Sequence, residues 1–367
     1  MATSGEERKR ERDWSELPSD LIHLIAKKLP DILDFIRFRA VCKMWRSSAP
    51  VSDPPHQLPW LLELFKRERN YRTLRRQQRY YTVSSGQTLM IPFTHRRPKL
   101  GTWIDGGACS HYLAFNDVDC IVSFLNPLTN HRFSLPAYLM SRPLFYGTPW
   151  MVWTGTDPIR DRCVVVVDRD RTLGNGICGW CFYDPHNNKW VDQEGFFYAS
   201  CYWKGKFFST SLGWTTEVFD AYSKELLHEI PPPQDEVLKD NRDELVWRLR
   251  ETYLLVSSGV ILRVSWFYGS KRKAIEQSVF RINRLDYETA DGKPCWVRIA
   301  DIGDQILFLE EMHGFSMAAR SSTGFRQGCI YFIDPEEFIP YMHDILAGTV
   351  ERVPCPFKRS TWFLPGL

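Results

Sequence analysis

The chain has 367 residues, 44% hydrophobic and 25% charged, with 47 Lys and Arg against 44 Asp and Glu for a net charge of +3. That length accommodates one large domain plus a small one, and the composition is ordinary for a globular protein. The charge is too small to argue for a polyanionic partner. No run approaches the ~18 apolar residues of a membrane span, and the charged start lacks an apolar h-region, so neither a spanning helix nor a secretory signal is expected.

Met1–Asp13 reads as a charged, disordered tail. From Trp14 to Ala49 three short helical patterns follow. Leu17-Pro18 precedes a helix in which Leu21, Leu24, Ile25 and Leu29 recur at helical spacing. Pro18 suits a first turn and Asp20 the positive end of the helix dipole. Pro30 ends this helix and Asp31 is a natural N-cap for the next, which carries Ile32, Leu33, Phe35, Ile36 and Phe38. Val41, Cys42 and Trp45 place a third stripe. A bundle below roughly 40 residues rarely stabilises itself, and this one has more apolar positions than it can bury, so the pattern predicts a docking element.

At these residues the resemblance is specific. Leu17-Pro18-x-Asp20-Leu21-Ile22-x-x-Ile25-x-x-x-Leu29-Pro30, followed by Phe38-Arg39-x-Val41-Cys42-x-x-Trp45-Arg46, resembles the F-box of eukaryotic ubiquitin-ligase adaptors, without insertion over residues 14–49. In that family the three helices bind a Skp-type adaptor, which links them to cullin and RING subunits. The resemblance implies that Leu17, Pro18, Leu21, Ile25, Leu29, Phe35, Ile36, Val41, Cys42 and Trp45 hold the family's core and Skp-facing positions. These ten are the candidate adaptor-binding set.

Residues 50–79 read as a connector. Pro50, Pro54, Pro55 and Pro59 punctuate it, and Trp60, Leu61, Leu64 and Phe65 then suggest one face of a helix over residues 60–79. That segment is rich in Lys66, Arg67, Arg69, Arg72, Arg75, Arg76 and Arg79, with Tyr71, Tyr80 and Tyr81 interleaved. Such a run can bind nucleic acid, but a solvated helix face or an interdomain contact is the preferred reading.

From Tyr80 onward, short alternating strands separated by Gly, Asn, Asp and Pro give an all-β pattern. Helical spacing is seen only at Asp243–Thr252 and Glu336–Leu346. A degenerate repeat runs through this region: Phe124-Leu125-Asn126-Pro127, Phe182-Tyr183-Asp184-Pro185, Val218-Phe219-Asp220 and Phe280-Arg281-Ile282-Asn283, each leading into a second apolar segment. Each copy reads as the outer hairpin of a propeller blade, with Lys204-Gly205 as the turn of an inner one. At about 40–50 residues per blade, residues 80–367 predict a mainly-β domain, a β-propeller of about six blades. A sandwich with long insertions is the alternative.

These turns, the Tyr202-Trp203-Lys204-Gly205-Lys206-Phe207 segment and the closing Ser360-Thr361-Trp362-Phe363-Leu364-Pro365 resemble the β-propeller that follows the F-box in a large family of plant F-box proteins. The resemblance implies recognition of a target protein by the propeller. It brings no catalytic residues.

Three motifs are weighed as decoys. Gly174-Asn175-Gly176-Ile177-Cys178-Gly179 fits a dinucleotide fingerprint, but an aromatic strand follows where a helix must open. Cys178 and Cys181 lack a second ligand pair for zinc, and the ten cysteines read as reduced thiols. Gly314-Phe315-Ser316-Met317-Ala318 lacks the second Gly of a nucleophile elbow, and Glu310, Glu311 and His313 read as rim or loop residues. The sequence thus predicts a non-enzymatic substrate receptor of an SCF-type ubiquitin ligase, with no cofactor or metal, located in the nucleus and/or cytoplasm. The alternatives are an F-box scaffold acting outside a ligase and a nucleic-acid-associated protein using the basic segment.

Overall fold

The computed structural model describes residues 14–366 except 30, 56, 65–76, 93–111, 117–121, 137–148, 154–163, 169–178, 185–188, 195–198, 212–213, 221–222, 224, 235–247, 269–274, 288–291, 311–312 and 320–323. The chain forms two compact units, one holding the residues up to Leu58 with Pro365–Leu367 and the other running from Pro59 to Leu364. None of the described helices is long and apolar enough to cross a membrane.

The first unit contains α1 (Ser19–Lys27), α2 (Ile32–Ala40) and α3 (Lys43–Ser48), preceded by a single turn at Trp14–Glu16. Each start has a local cause. Pro18 sits just before α1, and its carbonyl accepts from Leu21 and Ile22 N–H at 3.0 and 3.1 Å. Asp31 caps α2 through a 2.8 Å bond from Leu33 N–H. Cys42 caps α3, its Sγ accepting from Trp45 N–H at 3.5 Å. Ile22, Ala26, Ile32, Phe35, Phe38 and Ala49 are buried, and Trp45 lies against Phe38 with ring centres 4.3 Å apart. Arg39 and Arg46 tie α2 to α3 reciprocally. Arg39 donates to the carbonyls of Ala49 and Arg46, and Arg46 Nε donates to the Arg39 carbonyl at 3.3 Å.

The second unit starts with β1 (Trp60–Glu63), β2 (Gln77–Thr82) and β3 (Gln87–Pro92). A three-stranded sheet of β4 (Leu113–Asn116), β5 (Val122–Leu125) and β6 (Arg132–Ser134) follows. Three four-stranded sheets come next, each in sequential antiparallel order: β7 (Pro149–Trp153), β8 (Val164–Asp168), β9 (Gly179–Asp184) and β10 (Lys189–Glu194); β11 (Ala199–Trp203), β12 (Lys206–Thr210), β13 (Thr216–Asp220) and β14 (Leu226–Ile230); and β15 (Arg248–Ser257), β16 (Val260–Tyr268), β17 (Val279–Asp286) and β18 (Cys295–Ile299). The next sheet contains β19 (Gln305–Glu310), β20 (His313–Ala318), β21 (Cys329–Ile333), β22 (Pro340–Asp344) and β23 (Thr349–Arg352), in the order β20-β19-β21-β22-β23. Finally β24 (Ser360–Phe363) returns to pair with β1, from Trp60↔Phe363 to Glu63↔Ser360, giving the first sheet the order β24-β1-β2-β3. The described residues of this unit therefore make six sheets.

The predicted outer hairpins are β5–β6, β9–β10, β13–β14 and β17–β18. Their turn chemistry repeats. Asn126 Oδ1 accepts from Leu128 and Thr129 N–H at 2.9 and 3.1 Å, and Asp220 Oδ1 accepts from Ser223 N–H at 2.8 Å. A further copy went unread in the sequence: Phe332-Ile333-Asp334-Pro335, where Asp334 Oδ1 accepts from Glu336 N–H at 3.0 Å before β22 begins. Lys204-Gly205 is the expected two-residue turn, with φ of 49° and 75°, the positive values such a hairpin requires.

Three helical expectations fail. Trp60–Glu63 and Gln77–Thr82 are strands, so residues 60–79 do not form one helix; the arginines between, from Lys66 to Arg76, lie outside the described residues. The cause is burial on both faces: Trp60, Leu61 and Leu62 are consecutively buried between β2 and β24, and so short an apolar run does not distinguish helix from strand. Arg248–Thr252, read as part of a helix, belongs to β15, and Pro340–Asp344 forms β22.

Neighbouring sheets share cores. Tyr253, Leu255, Leu262, Val264 and Trp266 pack with Leu307, Leu309, Ile330 and Phe332. The β20 strand lies against β15: Ser316 Oγ donates to the Val256 carbonyl at 3.0 Å. A Cβ at Gly314 would stand 3.0 Å from Leu309 Cδ2 and 3.2 Å from Leu255 Cδ2, so glycine gives the closest approach without displacing these leucines. At the end of β19, Glu310 reaches across to β24, where its Oε2 accepts from Trp362 N–H at 2.9 Å and from the Thr361 hydroxyl.

Candidate functional site: an exposed apolar face on the helical unit

The outward face of α1 is apolar. Leu21, Leu24 and Ile25, at i, i+3 and i+4, are 48%, 55% and 41% exposed, while Ile22 and Ala26 fill the core at 0% and 1%. The stripe that spacing marks as apolar is therefore the solvent-facing one, and a second, shorter stripe holds the fold. Val41, in the α2–α3 link, is 60% exposed and Trp14 is 65% exposed. The Trp14 carbonyl accepts from Trp45 Nε1 at 3.3 Å, which anchors the turn carrying that side chain.

The candidate set divides by burial. Pro18, Leu21, Ile25 and Val41 are exposed, and Leu17, Leu29, Ile36, Cys42 and Trp45 are half-buried. Phe35 is 0% exposed, inside the three-helix core, so of the core and adaptor-facing positions expected it holds a core one. Cys42 and Trp45 do structural work, as the α3 cap and the ring against Phe38. Leu24 and Trp14, exposed on the same unit, stand outside that set, although Leu24 shares the helical spacing of Leu21 and Ile25.

On the other side of α1, polar contacts tie down the following segment. Lys27 bonds Asp53 and donates to the Pro54 carbonyl at 3.1 Å, and His23 contacts the Ser48 carbonyl at 3.1 Å and Asp53 at 3.3 Å. The Lys27 hydrogen bond, helped by the charges of Lys27 and His23, holds the Asp53 carboxyl below the usual carboxylate range.

The β unit accounts for the decoy motifs. Gly179 opens strand β9, with no helix start to meet a pyrophosphate, and the rest of that fingerprint lies outside the described residues, as does Cys178. Ser316 lies within strand β20 with its hydroxyl committed to Val256. Glu310 is not a rim residue; it is 3% exposed and binds β24. Glu311 lies outside the described residues. Among the described residues no group of three or more His, Cys, Asp or Glu could hold a metal ion. Arg79, counted with the basic run, pairs with Glu63 at 3.0 Å and lies over the Phe357 ring.

Comparison with known proteins agrees with this two-unit arrangement. The family model described as the KIB1-4 beta-propeller matches residues 77–351, and the F-box domain model matches residues 14–50. A putative F-box protein of Arabidopsis thaliana is 23% identical, covering 96% of this chain and 93% of its own. An F-box/kelch-repeat protein of the same plant is 24% identical, covering 92% of this chain and 89% of its own. The Arabidopsis F-box protein SKIP23 is 51% identical over 51 residues, 13% of this chain and 12% of its own.

Proposed function

The chain belongs to the KIB1-4 β-propeller family, with an F-box ahead of the propeller, and on that premise we propose that it is the substrate-recognition subunit of an SCF-type E3 ubiquitin ligase. The F-box docks a Skp-type adaptor, and through it cullin and RING subunits, while the propeller holds a target protein. The chain itself makes and breaks no bond. Holding a target beside a ubiquitin-charged enzyme raises the effective concentration of its lysines, and that is sufficient for the role.

The observation that carries this reading is the outward apolar stripe of α1 on a unit whose core is already filled by other residues. Burying the exposed halves of Leu21, Leu24, Ile25 and Val41 is worth about 1 kcal/mol each, enough to build an interface around a few anchors. The test is capture by a purified Skp-type adaptor. Leu21→Asp/Ile25→Asp should abolish capture while leaving the melting temperature within about 2 °C of the parent, because both side chains face water. Undiminished capture by that variant would refute the adaptor face. Capture of adaptor without cullin would refute the ligase role and leave a scaffold.

A further inference from the structure

The sheets β11–β14 and β15–β18 meet over a shared core that includes Cys201, Phe208, Val218, Leu254 and Leu285, and three half-buried rings, Trp203, Tyr287 and Trp296, pack against it. Trp203 and Lys206 are direct partners across the β11–β12 hairpin, so they project from the same sheet face. The turn between them puts the Lys204 ammonium 4.3 Å from the Trp203 ring centre. The Lys206 ammonium lies 5.3 Å from the ring centre of Tyr287, the residue that follows β17 of the neighbouring sheet. Two cations thus stand on an aromatic floor that spans the seam.

Two other ring-bound cations of this unit differ in carrying a counter-charge. Arg79, over Phe357, also pairs with Glu63, and Arg250, over Trp266, also pairs with Asp334 at 3.1 Å. Among the described residues neither Lys204 nor Lys206 has a carboxylate within ion-pair distance. Asp220 stands opposite Lys206 across β12–β13, yet its Oδ1 turns back to accept from Ser223 N–H. An ammonium held on a ring keeps its charge, loses part of its hydration and gives up little further freedom on meeting an anion.

We propose that this seam docks an acidic peptide segment of the target protein, with Asp or Glu carboxylates on Lys204 and Lys206 and adjoining apolar side chains against Trp203, Tyr287 and Trp296. The proposal rests on the reading of the chain as a substrate receptor. A peptide fits better than a nucleic acid, because two ammonium groups make a point of charge, not the stripe that a phosphate backbone requires.

The full chain is to be panned against a random peptide library in parallel with Lys204→Glu/Lys206→Glu and with Lys204→Gln/Lys206→Gln, the milder pair covering any loss of folding. Wild type should select peptides enriched in Asp and Glu beside aliphatic or aromatic residues. The tightest of these should bind either variant about tenfold more weakly or worse, with melting temperatures unchanged. Absence of acidic enrichment would overturn the site, as would binding of the selected peptide to the folded variants within about twofold of wild type. Stronger lysine-dependent binding of a single-stranded oligonucleotide would overturn the choice of a peptide. Adaptor capture by the same preparations reports on the ligase reading separately, so failure of one leaves the other measurable.

Discussion

Removing the Glu310 carboxylate should loosen the strand that completes the first sheet. Glu310 is 3% exposed and its Oε2 takes two hydrogen bonds from β24, from Trp362 N–H at 2.9 Å and from the Thr361 hydroxyl. Hydrogen bonds to a charged group contribute about 1.5–3 kcal/mol each, and a buried N–H left without its acceptor costs about 1–3 kcal/mol. Against this, alanine no longer carries the desolvation of a buried carboxylate, several kcal/mol per ion. We therefore expect Glu310→Ala to cost about 2–4 kcal/mol, and Glu310→Gln, which keeps an acceptor for Trp362, about 1–2 kcal/mol. For a domain of this size the alanine variant should melt about 4–15 °C lower. Hydrogen exchange localises the effect: the Trp362 amide should lose protection ahead of amides in β11 and β12. An unchanged melting temperature together with an unchanged Trp362 amide would refute the reasoning, leaving β24 held by β1 alone.

Four further outcomes can be measured. Ile22→Asp, on the buried face of α1, should unfold the helical unit and lose adaptor capture together with α-helical circular dichroism, whereas Leu24→Asp, on the outer face, should lose capture alone. Gly314→Ala forces a Cβ to 3.0 Å from Leu309 and 3.3 Å from the Phe308 carbonyl, and should cost about 1–3 kcal/mol by chemical denaturation. Glu217 lies directly opposite Glu229, and burial, then the Glu229 charge, raises its carboxyl above the ordinary 4.5. Ionising it therefore opposes folding above that range, and Glu217→Gln should stabilise by about 0.2–1 kcal/mol at neutral pH, a gain that vanishes in acid once both states of the parent are protonated. His343 is 6% exposed beside Phe280, and burial holds its imidazole below the ordinary 6.5. The unfolded chain then binds more protons, so stability should fall as pH drops through 6.5 toward the lower folded value, and thermal melts of His343→Phe should show a flatter profile there.

The three helices and the repeated hairpins were legible because their signals are local. Pro18, Asp31 and the Asx turns at Asn126 and Asp220 each fix the backbone within a few residues. Which side of α1 faces water was not legible, since Leu21-Ile22-x-Leu24-Ile25-Ala26 offers two apolar stripes and only the packing of α2 and α3 chooses between them. Trp60–Leu62 failed as a helix for a related reason: its pairing partner, β24, lies at the far end of the sequence. Phe35 was not separable from the outward-facing residues, because an apolar residue beside a docking face looks the same in sequence whether it covers that face or props it up. The lysine-and-aromatic seam joins residues some eighty positions apart, beyond the reach of any local pattern.

The pairing of β24 with β1 also sets a timetable. Roughly 300 residues separate Trp60 from Ser360, and at ~5–20 residues per second a ribosome takes on the order of 15–60 s to traverse them. The helical unit, built almost wholly from neighbours in sequence, can acquire its form at the start of that interval, whereas the opening strands wait until the end of it with one edge bare. On the proposed reading, a nascent chain would be competent to be recruited well before it is competent to choose, and a message cut short before Ser360 would leave the first sheet of the propeller without its β24 edge.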